Sequence, residues 1–155
     1  MKYKRLAKEE LVELENEFVN FLASAQITGS DWEKMKQNEV EKAEELIDVF
    51  SDMVYEKVMI KIKYLEYRDN RSLNIYCCLE EKILLVGLRV KENYSLDLTA
   101  DDLFDQLNES SNSAVDIIHS EKGYIKDRGI EVFELIQSGC YITNEKLFET
   151  IKGII

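Results

Sequence analysis

The segment Ile83–Val90, ILLVGLRV, is apolar on both of its alternating faces except at Gly87 and Arg89. Successive side chains of a β-strand point to opposite faces of the sheet, so such a strand must be covered on both sides. The preceding segment Leu73–Cys78 alternates with a period of two, and LEEK is short enough to join the two segments. We therefore predict a β-hairpin at about 73–90, with helices over one face and a partner subunit over the other.

Two long amphipathic helices are predicted before this hairpin. Apolar residues recur at spacings of three and four over about 6–25 and again over about 40–65. The chain contains no proline, a residue that breaks helix interiors. Ser30 is predicted to open a short helix between the two, and Asn38 to cap the second long helix.

The carboxyl-terminal part is predicted to contain short elements of both kinds. Thr99 precedes an apolar pattern typical of a helix start. The segment Ala114–Ile118 fits either a strand or a helical turn, and we favour the strand. A further helix is predicted over Ile130–Gln137, and Thr143 or Asn144 is expected to cap the last one.

These elements indicate an α+β protein, with a long helical hairpin packed on a small antiparallel sheet and short carboxyl-terminal helices. A length of 155 residues with 45% apolar content predicts one domain, 1–155. Its parts are the helical hairpin (about 6–66), the β-hairpin (about 72–91) and the mixed part (about 92–155).

A net charge of −11 limits the classes of partner. Such a charge repels phosphate backbones and anionic lipid surfaces, so neither nucleic acid nor a membrane is expected as a partner. The basic and aromatic cluster at 61–71 is interpreted as a helix end. The longest apolar run, ILLVGL, is far shorter than the ~20 residues of a membrane span. We expect a cytoplasmic protein with reduced thiols.

The cysteines do not form a recognisable reactive or metal site. Cys77 and Cys78 are adjacent, so their Cα atoms lie closer than an ordinary disulfide allows. The chain has three cysteines and one histidine, without the paired spacing of zinc sites. Core packing is the preferred interpretation for both residues and for Cys140.

No catalytic constellation is found among the other polar residues. His119 follows Asp116 by three residues and precedes Ser120, but sequence neighbours seldom adopt the geometry of a catalytic triad. The acidic residues at 41–48 lie opposite the apolar stripe of their helix and are interpreted as solvated. We predict no catalytic, cofactor-binding or metal-binding residues.

Several stretches resemble a known family: KYKRLAKEELVELENEFVNFL, then ITGSDWEKMK with KAEELIDVFSDMVYEKV, and FELIQSGCYITNEKLFETI. Together they are similar to a family of small acidic bacterial proteins described only as a domain of unknown function. The resemblance covers nearly the whole chain. One departure is Ala7, where a Thr or Ser cap is expected, so the first helix is expected to fray. The family implies no activity, and no functional residue is carried over.

The leading functional hypothesis is a non-enzymatic protein-interaction module that binds a protein partner or forms a homodimer. The alternatives are an acidic inhibitor or immunity-type protein that covers a basic site, motivated by the lysine- and arginine-free stretch 92–121, and an unrecognised enzyme that uses carboxylates. The candidate interaction surface consists of Leu84, Val86, Leu88, Asp101, Asp102 and Asp105.

Overall fold

A computed structural model describes residues 1–109 and 113–154. The chain divides into two compact units, Met1–Val58 and Met59–Ile155. The elements in chain order are α1 (Lys8–Glu13), α2 (Glu15–Ser24), α3 (Gly29–Asn38), α4 (Val40–Lys61), β1 (Tyr64–Arg68), β2 (Ser72–Cys78), β3 (Lys82–Val90), α5 (Leu103–Glu109), β4 (Val115–Gly123), α6 (Arg128–Gln137), β5 (Tyr141–Ile142) and α7 (Glu145–Lys152). The helical first part, followed by a sheet with short helices, confirms the α+β class.

The first unit is helical and is organised around aromatic side chains. The ring of Phe18 packs edge-on against Trp32 and Phe50, with centroid distances of 5.1 and 5.0 Å. Near the amino terminus, the backbone N–H of Leu6 donates to Ser51 Oγ of α4 at 3.1 Å. Arg5 forms ion pairs with Glu44 and Asp48 of α4. These contacts fix the amino-terminal segment beside α4.

Two helix boundaries in the first unit differ from the prediction. The continuous helix predicted over about 6–25 is interrupted at Leu14, which separates α1 from α2. The cap of α3 is Thr28 and not Ser30, because Thr28 Oγ1 accepts from the N–H of Asp31 while the Asp31 carboxylate accepts from the N–H of Thr28. Ala7 leaves α1 without a side-chain cap, although Glu10 still accepts its N–H.

Helix α4 ends earlier than predicted. The apolar stripe was expected to continue to about residue 65, but the helix stops at Lys61 and Tyr64–Arg68 forms β1 instead. The segment YLEYR also suits a strand, because aromatic residues are favoured on a pleated surface. Pairing of Leu65 with Tyr76 and with Ile142 places β1 between β2 and β5.

The second unit contains a five-stranded antiparallel sheet in the order β4-β3-β2-β1-β5. The predicted β-hairpin is confirmed, since β2 and β3 pair from Ser72 opposite Arg89 to Cys78 opposite Ile83. The favoured strand at 114–118 is also confirmed, and it extends to Gly123 as β4. The strand thus runs five residues beyond the predicted segment.

Helices of the same unit lie on both faces of β3. On one face, here called the core face, Val86 and Leu88 pack with Leu103 of α5 and Phe148 of α7. On the other face, here called the α6 face, Ile83 and Leu85 line a groove together with residues of α6. Helix α6 thus lies over part of the second apolar face of β3, and a partner subunit over the remainder stays a prediction.

The last helices follow the prediction closely. Helix α6 spans Arg128–Gln137 with Asp127 as its cap, and α7 begins after Asn144, whose side chain accepts the N–H of Leu147 at 3.0 Å. The helix start predicted at Thr99 is wrong. The N–H and the hydroxyl of Thr99 both donate to Asp97, and α5 begins four residues later, at Leu103.

Candidate interaction site on strand β4 and helix α6

The outer edge of the sheet is formed by β4, a strand of nine residues. It pairs with β3 from Lys82 opposite Gly123 to Val90 opposite Val115. No strand among the described residues pairs with its other side. The five residues from His119 to Gly123 are all exposed. This part of β4 is therefore an accessible edge.

The hydrogen-bond pattern shows which residues of β4 face outward. The N–H of Lys91 donates to Ala114 O at 2.9 Å, so this pair is hydrogen-bonded. Hydrogen-bonded pairs alternate along an antiparallel ladder, so Asp116, Ile118, Ser120 and Lys122 direct their backbone groups toward β3. The intervening residues Ile117, His119, Glu121 and Gly123 direct theirs away from the sheet.

A groove of about 390 Å³ lies beside this edge on the α6 face. Its floor is a row of side chains across three strands, because Tyr76 is opposite Leu85 and Leu85 is opposite Ser120. Leu135 of α6 and Ser138, directly after that helix, line its wall. The groove has a largely apolar floor, and its lining extends to Ser120, Glu121 and Lys122 of β4.

Glu131 holds α6 against β4. It is only 7% exposed, and its carboxylate accepts from Lys122 Nζ at 2.7 Å and from the N–H groups of Ile125 and Lys126 at 2.7 and 3.0 Å. Burial opposes ionisation, but these hydrogen bonds outweigh it and the pKa of Glu131 lies below its ordinary value. An ionised carboxylate that accepts three hydrogen bonds is suited to a structural role and is a poor proton donor.

The other carboxylates that line the groove also have lysine partners. Glu121 pairs with Lys82 at 2.9 Å, and Glu134 pairs with Lys126. Within the described part of the chain, no three His, Cys, Asp or Glu side chains are arranged to hold a metal ion. The acids that line the groove are thus engaged in ion pairs.

Arg128 joins the start of α6 to the rest of the second unit. Its guanidinium donates to the carbonyl oxygens of Met59 and Ile62 at the end of α4, at 3.0 and 2.6 Å. It also donates to the carbonyl oxygens of Cys78 at the end of β2 and of Leu79 in the turn that follows, both at 3.0 Å. Sequence patterns gave no signal for this contact, because the partners are backbone atoms 49 to 69 positions away.

The predicted site residues fall in two places. Val86 and Leu88 are buried in the core, and Leu84 is half-buried in a shallow pocket beside Phe148. The acidic residues Asp101, Asp102 and Asp105 are exposed at the start of α5. Val86 and Leu88 are thus covered by the chain's own helices, whereas partner binding at Leu84 and at the three acids stays a prediction.

The candidate chemical residues are separated by the fold. Asp116 and Ser120 point to the α6 face of β4, whereas His119 points to the core face, since neighbours alternate along a strand. The three cysteines are free and buried. Burial raises the pKa of the Cys78 thiol to about 11 and also raises the pKa of Cys140. The thiols of Cys78 and Cys140 are therefore poor nucleophiles near neutral pH.

A family model described as a family of unknown function (DUF6495) matches residues 1–155. The chain belongs to this family. The match confirms the resemblance to a domain of unknown function and assigns no activity to the site. No curated protein and no solved structure matches the chain. None of the helices in the described ranges is both long and apolar enough to cross a membrane.

Proposed function

We propose that the protein is a non-enzymatic interaction module of the bacterial cytoplasm that binds an extended segment of a protein partner along β4. The observation that carries this proposal is the accessible outer edge of β4, where Ile117, His119 and Glu121 direct N–H and C=O groups away from the sheet. An added strand would satisfy these groups, as in domains that recognise peptides by strand addition.

The groove beside α6 supports the same proposal. Side chains of an added strand alternate between the two faces, so the one opposite Ser120 would point toward the apolar floor formed by Tyr76 and Leu85. Backbone hydrogen bonds would supply affinity, and this position would supply selectivity for an apolar side chain. The net charge of −11 disfavours nucleic acid and anionic membranes as partners.

A proline substitution tests the role of the edge. His119→Pro removes an N–H that faces outward and leaves the ladder to β3 intact, so the fold is expected to persist. We expect affinity isolation from the native cell followed by quantitative mass spectrometry to lose a partner with His119→Pro and to retain it with the control His119→Thr. Equal recovery with two folded variants would refute the proposal.

The acidic-inhibitor hypothesis makes a different prediction. Reversal of Asp101, Asp102 and Asp105 to lysine would abolish binding of a basic partner and leave binding along β4 unchanged. The same isolation experiment therefore separates the two hypotheses.

A further inference from the structure

Strand β4 is a suitable partner for its own edge. Two antiparallel copies pair across a twofold axis only when residues whose backbone N–H and C=O groups point away from the sheet lie opposite each other. His119 is outward-facing and is the central residue of Val115–Gly123. Pairing about His119 therefore brings all nine residues of one strand opposite those of the other.

The charges of β4 match this register. Pairing about His119 places Asp116 opposite Lys122 of the second copy, and the symmetry axis repeats the pair. Both residues lie in non-hydrogen-bonded positions, where side chains approach most closely. A shift by one step in either direction would place Asp116 opposite Tyr124 or Ser120 of the second copy, so neither alternative register pairs opposite charges.

Charged side chains on an exposed edge strand commonly prevent it from pairing with another chain, but Asp116 and Lys122 can instead pair with each other across two copies. Its carboxylate lies 3.9 Å from Lys91 Nζ and its side chain is 68% exposed. Lys122 Nζ donates a hydrogen bond to Glu131, while the Lys122 side chain remains 58% exposed. Both members of the intermolecular pair are accessible.

The groove beside α6 fits the same register. Ile118 points to the α6 face and lies opposite Ser120 of the second copy when the strands pair about His119. The half-buried Ile118 side chain would then extend the row formed by Tyr76, Leu85 and Ser120 at the β4 end of the groove. An apolar side chain thus meets the apolar floor of the other copy.

We propose that the segment bound by β4 is β4 of a second copy of this chain, paired antiparallel about His119 to give a continuous ten-stranded sheet, five strands from each copy. This inference rests on the proposed function and names the partner of the same edge.

Sedimentation equilibrium of the full chain at about 100 μM tests the pairing. The expected mass is twice the 18.1 kDa of one chain. Asp116→Lys alone and Lys122→Glu alone each place like charges together and are expected to sediment as monomers. An equimolar mixture of the two variants restores opposite charges at both positions and is expected to recover the dimer. A monomeric wild type, or no recovery in a mixture of folded variants, would overturn the inference.

Cysteine cross-linking tests the register independently of these charges. Ile118→Cys mixed with Ser120→Cys is expected to form an interchain disulfide under mild oxidation, whereas each variant alone is not. A disulfide in the Ser120→Cys sample alone would indicate a different register and would overturn the inference. If the wild type is monomeric but His119→Pro still loses a partner from the cell, the second copy is excluded and the interaction module stands.

Discussion

Arg128 donates to four backbone carbonyls that belong to two separate segments of the second unit. Replacing it with methionine keeps much of the apolar stem and removes all four hydrogen bonds. A hydrogen bond from a charged group contributes ~1.5–3 kcal/mol, so four such bonds set an upper range of about 6–12 kcal/mol. The side chain is half-buried, and water can replace part of the lost bonding. We expect Arg128→Met to lower the free energy of unfolding by about 3 kcal/mol.

This loss can be measured by thermal unfolding together with hydrogen exchange. For a chain of this length, a loss of ~3 kcal/mol corresponds to a fall in Tm of roughly 6–12 °C. Faster exchange is expected first in the turn after β2 and at the end of α4. Lys126→Met is the matched control, since it removes a nearby surface cation and is expected to change stability little. If Arg128→Met unfolded at the same temperature as the control, the structural role assigned to Arg128 would be wrong.

Three further predictions concern single residues. The pKa of Glu131 is lowered in the folded state, so its ionisation stabilises the fold above the pKa of the unfolded state. This stability is lost as the pH falls through the pKa of the folded state. E131Q should therefore flatten the dependence of the unfolding free energy on pH below about 4.5. Gly139 has a φ of +109°, so Gly139→Ala should destabilise the second unit by about 1–3 kcal/mol in denaturant titrations. A Cβ added at Gly29 would meet open space, so Gly29→Ala should stabilise the first unit by about 0.4–1 kcal/mol. Burial and a pKa raised to about 11 should keep Cys78 unreactive with a thiol reagent at pH 8 until the protein is unfolded, and rapid labelling of Cys78 or Cys140 in the native protein would contradict this.

The β-hairpin could be predicted because its signal is local. The period of two in β2 and the continuous apolar run of β3 lie on either side of a short polar turn. The end of α4 was predicted too late for an equally local reason. Tyr64 and Leu65 continue the helical spacing and also suit a strand, and only their pairing with β2 and β5 decides between the two.

The candidate site could not be predicted in the same way. Exposure of one edge of β4 depends on the order of the strands, which is a property of the whole sheet. The alternation of β4 is also weak, because charged residues occupy both faces near its end, at Glu121 and Lys122. The contact between Lys122 and Glu131 depends on how α6 packs, which no spacing rule gives.

The central claim is that β4 offers an open edge to a partner, and amide hydrogen exchange measured by NMR tests it most directly. In dilute protein, the outward N–H groups of Ile117, His119 and Glu121 should exchange much faster than the inward N–H groups of Ile118 and Ser120. At high protein concentration the outward groups should become protected as a second copy binds. Strong protection of the outward groups in dilute protein would contradict the account, because their hydrogen bonds would then already be satisfied within one chain.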